Sequence, residues 1–303
     1  MSDAPTLIVD HVTKRFGDFT AVDDLSLKVH RGRVFGLIGP NGAGKTTTIR
    51  MIVNITVPDS GRVALFGQPM STALQDRIGY LPEERGLYKR MKVGEQLRFF
   101  AELKDLRGKE ADTRIDHWLA KLQLKDWKEK RTKELSKGMQ QKVQFITAVI
   151  HDPDLLILDE PFSGLDPVNV EIMKDTILEL KQANKTIILS THQMEIAERL
   201  CDDVCMINRS RKVLDGTLRD IRRSFSRNAV ALRFEGDDGL LKDSELVANV
   251  LPVGDEVEVL LAPGVSHQTL LKRLIDSQVV VTKFELVEPR LHEIFIEKVK
   301  ETA

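Results

Sequence analysis

The stretch GPNGAGKT, residues 39–46, matches the pattern G-x-x-x-x-G-K-[ST] and decides the fold. A short apolar run at residues 33–38 predicts a strand before it, and a helical run begins at Lys45. Glycines let the backbone curl so that several N–H groups point at one anion, and the start of a helix favours negative charge. The stretch therefore predicts a phosphate-binding loop, because a simple Gly-rich turn does not require this strand and helix.

Individual residue types in the loop have predicted tasks. Lys45 offers a mobile positive charge to the β- and γ-phosphates of a nucleotide, and the Thr46 hydroxyl is a candidate ligand for Mg²⁺. The remaining predicted nucleotide-binding residues of this loop are Gly39, Pro40, Asn41, Gly42, Ala43, Gly44 and Thr47.

Two further apolar runs end in polar residues. LLILDE at residues 155–160 places Asp159 to hold Mg²⁺ through water, and Glu160 to orient and deprotonate an attacking water. TIILSTH at residues 186–192 ends at His192, which can donate a hydrogen bond to a γ-phosphate. Ligands bind at the carboxyl ends of parallel strands. The alternative is a strand followed by a solvated turn.

Strands alternating with helices predict an α/β fold: a P-loop NTPase core with a mixed, mainly parallel sheet and flanking helices. An antiparallel β part is expected at the N-terminus, and residues 92–150 are mostly helical by spacing. We predict a nucleotide-binding domain at 1–220, with a helical subdomain at about 84–150, and a small α+β accessory domain at 225–303. In the latter we expect strands at 229–234, 256–261 and 279–284 and helices at 266–276 and 289–300.

Composition limits the class of protein. The 303 residues contain 45 Lys and Arg against 46 Asp and Glu, so no broad basic field predicts nucleic-acid binding. No apolar run approaches the ~20 residues of a membrane span, and residues 1–10 lack a signal-peptide pattern. Cys201 and Cys205 could share one helical face, which would suggest a metal. No His or Cys pair accompanies them, so we expect small buried hydrophobes in a reducing compartment.

A second helix start follows at LSKGMQQ, residues 135–141. Ser136 is a candidate N-cap, and a capped helix start beside Gly138 is another anion-binding end. A chain with two such ends must either fold them together or use them in different subunits.

The ordered set of these motifs resembles an ABC ATPase cassette over roughly residues 5–220. It consists of the phosphate loop, the helix start at Ser136, Asp159 with Glu160, the SGLD run at 163–166, and His192. The resemblance implies that ATP and Mg²⁺ bind and that two cassettes, identical or different, dimerise head to tail. Each ATP would lie between the loop of one cassette and Ser136, Lys137 and Gly138 of the other.

The resemblance also assigns roles outside the phosphate loop. Phe16 lies where an aromatic ring stacks on adenine in the family; the alternative is a core phenylalanine. Asp166 would couple the two sites across the dimer. The permease would contact the helical subdomain and hold the chain on the cytoplasmic face of the membrane. Residues 84–90 are the candidate docking segment, and a solvated basic loop is the other interpretation.

Two positions depart from the family pattern. Glu83 replaces the usual Gln; it is a candidate metal-site residue with Thr46 and Asp159, and would bring a full negative charge near Mg²⁺ and the γ-phosphate. Lys137 replaces a Gly at the opposing helix start. We hypothesise that the two charges partly offset each other in the closed dimer. The alternative is subfamily variation without coupling.

The LPEERGLY run at residues 81–88 and the tail PRLHEIF at 289–295 are similar to the sodium- or drug-export branch. The expectation is therefore an exporter with a separately encoded permease. A GTPase would need an Asn-Lys-x-Asp motif to recognise the base of the nucleotide, and the sequence has none. A kinase would not need the Ser136 helix start or His192. A stand-alone regulatory ATPase stays open, and co-purification with a multi-span membrane protein would distinguish the two.

Overall fold

The computed structural model describes residues 4–84, 86–225, 228–277 and 279–301. Contacts divide the chain into two units: residues up to Leu218 together with those from Lys298 onward, and Arg219–Glu297. The domain boundary that we predict at 220–225 lies close to this division.

The first unit contains the predicted alternation of strands and helices. Its strands are β1 (Pro5–Phe16), β2 (Phe19–His30), β3 (Val34–Ile38), β4 (Ser60–Leu65), β5 (Gln68–Pro69), β6 (Ile78–Leu81), β7 (Leu155–Asp159), β8 (Thr186–Thr191), β9 (Asp203–Asn208) and β10 (Arg211–Thr217). Its α-helices are α1 (Lys45–Ile52), α2 (Val93–Glu102), α3 (Gly108–Lys121), α4 (Lys137–Val149), α5 (Pro167–Gln182) and α6 (Met194–Leu200). Short 3-10 helices lie at Thr72–Arg77, Lys125–Trp127 and Thr132–Glu134.

Two sheets organise this unit. An antiparallel sheet has the order β2-β1-β4-β5, and a six-stranded sheet has the order β10-β9-β3-β8-β7-β6, in which β10 alone runs antiparallel to its neighbour. The predicted fold class, a mainly parallel mixed sheet with helices and an antiparallel N-terminal part, is confirmed.

The central strands β3, β7 and β8 are buried at every residue. Continuous apolar runs such as LLILD form such strands because both faces of a parallel sheet are covered. One core cluster joins residues of the antiparallel sheet, α1 and the six-stranded sheet, among them Leu7, Leu25, Ile49, Ile157 and Ile207.

The register brings the carboxyl ends of four strands to one edge of the sheet. Ile38 pairs with Thr191, Asp159 with Ser190, and Leu81 with Leu158. The loops that follow β3, β6, β7 and β8 must therefore converge there.

The stretch that we predict to be mostly helical contains α2, α3 and α4, with Leu97, Ala101 and Leu119 buried, whereas Leu103 is exposed. Ser136 is the N-cap of α4, as predicted, and its side chain accepts a hydrogen bond from the Met139 N–H. The helix α4 packs against β6.

The rest of the chain contains an antiparallel sheet of order β12-β13-β11-β14. Its elements are α7 (Leu218–Phe225), β11 (Ala229–Glu235), a 3-10 helix at Gly239–Lys242, β12 (Val247–Val253), β13 (Glu256–Leu261), α8 (His267–Asp276), β14 (Val280–Leu286) and α9 (Leu291–Glu301). The strand β12 was not predicted, and the last helix begins at Leu291 rather than at Pro289. The core of the second unit includes Val230, Leu232, Val259, Leu270 and Leu274.

The two cysteines do not share a helical face, so that interpretation is wrong. Cys201 follows α6 with an extended backbone, whereas Cys205 lies in β9. Both are buried free thiols, and burial raises the pKa of Cys205 to about 12. No cluster of three potential metal-ligating side chains occurs in the described residues. Within the same ranges, each helix lacks the combination of length and apolar character needed to cross a membrane.

The helix α4 packs closely on β6 because Gly79 has no side chain. A Cβ on Gly79 would lie 2.0 Å from the Ala148 carbonyl oxygen, so Gly79→Ala must push helix and strand apart. We expect it to lower the free energy of unfolding by about 1–3 kcal/mol. Denaturant unfolding followed by tryptophan fluorescence measures this, because Trp118 and Trp127, the chain's 2 tryptophans, both lie in the first unit.

Gly86→Ala is the control, since nothing lies within 4 Å of a Cβ there. Equal unfolding midpoints for the two variants would contradict the packing argument.

Candidate active site

The loop after β3 folds around the Lys45 ammonium. Lys45 is 6% exposed, and its Nζ donates to the carbonyl oxygens of Gly39 (2.8 Å) and Pro40 (3.2 Å). Gly44, directly before α1, has φ +110°, and a Cβ there would lie 2.4 Å from the Ala21 carbonyl oxygen, so only glycine fits. Burial lowers the pKa of Lys45. A buried ammonium whose hydrogen bonds go to loop carbonyls suits an incoming anion.

Thr46 and Asp159 meet at the edge of the sheet. The Thr46 hydroxyl donates to Asp159 Oδ2 at 2.9 Å. Asp159 is fully buried, and its Oδ1 has no hydrogen-bond partner of good geometry among the described residues. Burial raises the pKa of this carboxyl. An orphaned buried oxygen beside a hydroxyl fits the oxygen ligands that Mg²⁺ prefers, so these residues could hold it.

Glu160 is held by the end of β8. The His192 N–H donates to Glu160 Oε1 at 3.0 Å, His192 Nδ1 lies 2.8 Å from the same oxygen, and the Thr191 hydroxyl donates to Oε2 at 3.3 Å. Glu160 Oε1 is 4.0 Å from Lys45 Nζ. The backbone of Glu160 has φ +49°, a strained conformation for a residue with a side chain. Strain of this kind is found where a side chain must be aimed at a particular place.

Glu83 follows β6 and is exposed. Its negative charge acts to raise the pKa of Lys45, against the larger effect of burial. Burial raises the pKa of Tyr80 to about 12, and the negative charge of Glu83 acts in the same direction. The predicted acid at this position therefore lies within electrostatic range of the phosphate loop.

Phe16 lies on the surface, at the end of β1. Its side chain is 54% exposed, and Lys14 Nζ lies 5.6 Å from the ring centroid. The alternative of a core phenylalanine is wrong. An exposed ring remains available for stacking.

The second helix start is not joined to the phosphate loop of its own chain. Ser136 and Lys137 are exposed, whereas Gly138 is buried. Asp166 caps α5 by accepting from the Asn169 N–H at 3.0 Å, which lowers the pKa of that carboxyl. None of the hydrogen bonds among the described residues connects Ser136–Gly138 to residues 39–47.

The candidate docking segment at 84–90 is described except for Arg85, which lies outside the described residues. The Tyr88 N–H donates to Gln96 Oε1 at 2.7 Å, and the Tyr88 ring packs on Phe99 and Phe100 of α2. Tyr88 is nevertheless 51% exposed, so the segment presents an aromatic side chain on the surface of the helical subdomain.

Sequence reasoning missed two glutamines of α4, Gln141 and Gln144, which are almost fully buried. Their amides donate to backbone carbonyls beside Glu160 and Glu83. The signal was present in the sequence, because two polar residues interrupt the apolar face of an amphipathic helix.

Known proteins are similar to this chain in sequence and in fold. The sequence matches the ABC transporter family over residues 22–163 and the C-terminal domain of DrrA1-3-like ATP-binding proteins over residues 216–299. An uncharacterised ABC transporter ATP-binding protein of Bacillus subtilis is 44% identical over 293 residues, which is 97% of this chain and 98% of the relative. The chain belongs to the ABC transporter ATP-binding proteins.

Two further comparisons agree with this family. A solved ATP-binding subunit of an ABC transporter is 34% identical with a TM-score of 0.68, covering 73% of this chain and 93% of its own. A Nod factor export ATP-binding protein I of Cupriavidus pinatubonensis is 39% identical over 213 residues, 69% of this chain and 66% of the relative. This ABC subunit is an ATPase, and the hydrolysis is coupled to transport.

The buried carboxylate of Asp159 gives a test of the site without turnover. Because burial raises its folded-state pKa above the ordinary value, the ionised group destabilises the fold at neutral pH. We expect Asp159→Asn to raise the free energy of unfolding without nucleotide by about 1 kcal/mol. The gain should shrink as the pH falls through the raised pKa, where the wild-type carboxyl becomes neutral. Denaturant unfolding at neutral and acidic pH measures both effects.

Asp175→Asn on the exposed face of α5 is the matched control, with an expected change within about 0.5 kcal/mol. A lower stability of Asp159→Asn at neutral pH would show that desolvation of the carboxylate is not the dominant effect.

Proposed function

We propose that this ABC subunit binds ATP with Mg²⁺ between two cassettes, hydrolyses it, and powers a separately encoded permease that exports its substrate. The observation that carries the proposal is the position of Glu160: its carboxylate is fixed by His192 and lies 4.0 Å from the Lys45 ammonium. A base beside the group that binds the γ-phosphate is placed to act on an attacking water.

Each group around the proposed γ-phosphate position has a task. Lys45 exchanges its hydrogen bonds with the loop carbonyls for bonds to the β- and γ-phosphates, and the loop N–H groups bind the remaining oxygens. Glu160 accepts the proton of the attacking water, while His192 keeps the carboxylate in place and donates to the γ-phosphate. Phe16 stacks on the adenine.

Thr46, Asp159 and Glu83 are the proposed Mg²⁺-site residues. The ion supplies positive charge to the β- and γ-phosphate oxygens when it is bound.

The second cassette supplies the other half of the site. Ser136 and Lys137 lie on the surface at the start of α4, beside the buried Gly138. Among the described residues, none of the three has a hydrogen bond to the phosphate loop of its own chain. A capped helix start attracts an anion, so two chains arranged head to tail can close around one ATP. Asp166, which caps the next helix, is proposed to couple the two sites. Hydrolysis splits the anion, and repulsion between the products loosens the dimer.

The proposal of export has two supports. The C-terminal match is to DrrA1-3-like ATP-binding proteins, and one relative is named as a Nod factor export protein. The permease is proposed to contact residues 84–90 from the membrane, which would keep the subunit on its cytoplasmic face. Residues 225–303 are proposed to be an accessory domain.

Glu160→Gln tests the proposed reaction. The amide cannot accept the proton, so we expect kcat for ATP hydrolysis to fall by about 10²–10⁴-fold, while ATP still binds. The variant should therefore accumulate as an ATP-bound dimer. Gel filtration with light scattering, with and without ATP and Mg²⁺, measures the mass.

Glu102→Gln, an exposed acid on α2, is the control and should behave like the wild type. A Glu160→Gln protein that stays monomeric with ATP would contradict the shared site.

The hypothesis that Glu83 and Lys137 offset each other has its own test. We expect Glu83→Gln and Lys137→Gly each to lower kcat, because each leaves one charge uncompensated in the closed dimer. The double variant should then exceed the product of the two single effects by about 3-fold or more. Steady-state ATPase assays of the four proteins decide it. Independent effects would favour subfamily variation without coupling.

A further inference from the structure

The amide of Gln144 links α4 to the segment that carries Glu83. Gln144 is 3% exposed, and its Nε2 lies 3.1 Å from the Pro82 carbonyl oxygen and 3.1 Å from the Glu84 carbonyl oxygen. An amide nitrogen has two hydrogens, so it can donate to both carbonyls at once. The two bonds bracket Glu83 from either side. They fix the backbone from which the Glu83 carboxylate projects.

The oxygen atom of this amide shows that packing alone does not explain why residue 144 is a glutamine. Gln144 Oε1 is buried and has no hydrogen-bond partner among the described residues. An unsatisfied buried acceptor costs stability, and an apolar side chain of the same length would avoid that cost. The glutamine is thus explained by the two bonds that it donates.

A second amide on the same helix makes a parallel contact. Gln141, three residues earlier, donates from Nε2 to the Pro161 carbonyl oxygen at 3.2 Å and approaches the Glu160 carbonyl oxygen at 3.5 Å. Residues three apart lie on one face of a helix. One face of α4 therefore holds the backbone beside both acids of the site.

The same helix begins at the proposed contact with the second ATP. A Cβ on Gly138 would lie 3.1 Å from the Gly164 carbonyl oxygen, so the start of α4 is close to the loop that leads to Asp166. A helix transmits position along its length because its own backbone hydrogen bonds keep it rigid. The backbone around Glu83 is consequently fixed relative to the helix start at Ser136.

We propose that Gln144 is a positioning residue: by binding the Pro82 and Glu84 carbonyls, it holds the Glu83 carboxylate in place beside the phosphate loop and relative to the Ser136 helix start. The proposal rests on the proposed function, in which Glu83 lies near the γ-phosphate. Gln144 itself touches neither ATP nor water in the reaction; it acts through Glu83.

The test is a double-mutant cycle of Gln144→Met and Glu83→Ala. Methionine has nearly the length and volume of glutamine but cannot donate, so it removes the two bonds and leaves the packing. We expect Gln144→Met to lower kcat by about 10-fold and to leave the KM for ATP within about 2-fold, because the phosphate loop is untouched. In the Glu83→Ala background, the same change should alter kcat by less than about 2-fold.

Two results would overturn the proposal: an equal loss of kcat in both backgrounds, or no loss in the wild type. Gln75→Met is the control, since its Nε2 also donates to a carbonyl, that of Val53, but away from Glu83. It should keep kcat within about 2-fold.

Hydrogen exchange tests the contact without turnover. The backbone N–H groups of Glu83 and Glu84 should exchange faster in Gln144→Met than in the wild type, and unchanged exchange would overturn the contact. This measurement stands even if Glu160→Gln fails to dimerise, so the two proposals fail separately. If Gln144→Met does not fold, Gln144→Asn replaces it in both experiments, because the shorter amide cannot span the two carbonyls.

Discussion

The parallel hydrogen-bond ladder of β6, β7, β8 and β3 is the constraint on which the rest depends. Its register places the residues after Leu81, Asp159, Thr191 and Ile38 at one edge of the sheet. All residues of β3, β7 and β8 are buried, so a slip in register would leave backbone groups unpaired and separate the site residues. The geometry of the site is thus fixed by strands that are buried throughout.

The site stores unfavourable interactions that this scaffold supports. Burial lowers the pKa of Lys45 and raises that of Asp159, so both groups lose solvation in their charged forms. Glu160 adopts a strained positive φ. Each feature lowers the stability of the fold without nucleotide. In the proposed function, each is relieved or used when a triphosphate with its cation is bound, which would explain why a buried ladder surrounds them.

The helix α4 connects parts of the molecule that the sheet alone does not join. Its capped start at Ser136 faces solvent, its glutamines hold the carbonyls beside Glu160 and Glu83, and it packs on β6 across Gly79. A change at the exposed end of this helix can therefore reach both acids through rigid contacts. That arrangement suits the proposed dimer, in which the second cassette meets the helix start.

The sequence alone determined the elements whose signals are local. The loop around Lys45, the apolar strands ending in Asp159 and Thr191, and the N-cap at Ser136 depend on neighbours within a few residues, so pattern and spacing were sufficient. The strand β12 is not predicted from the sequence because most of its residues are exposed. The two cysteines could be assigned to one helix because their spacing alone cannot distinguish a helix from a turn that leads into a strand. Only the tertiary structure decided that Phe16 is exposed and that Gln144 binds carbonyls about sixty residues away. The contacts of Gln144 depend on the packing of α4 against β6. No local preference of either segment encodes a contact between residues so far apart in the chain.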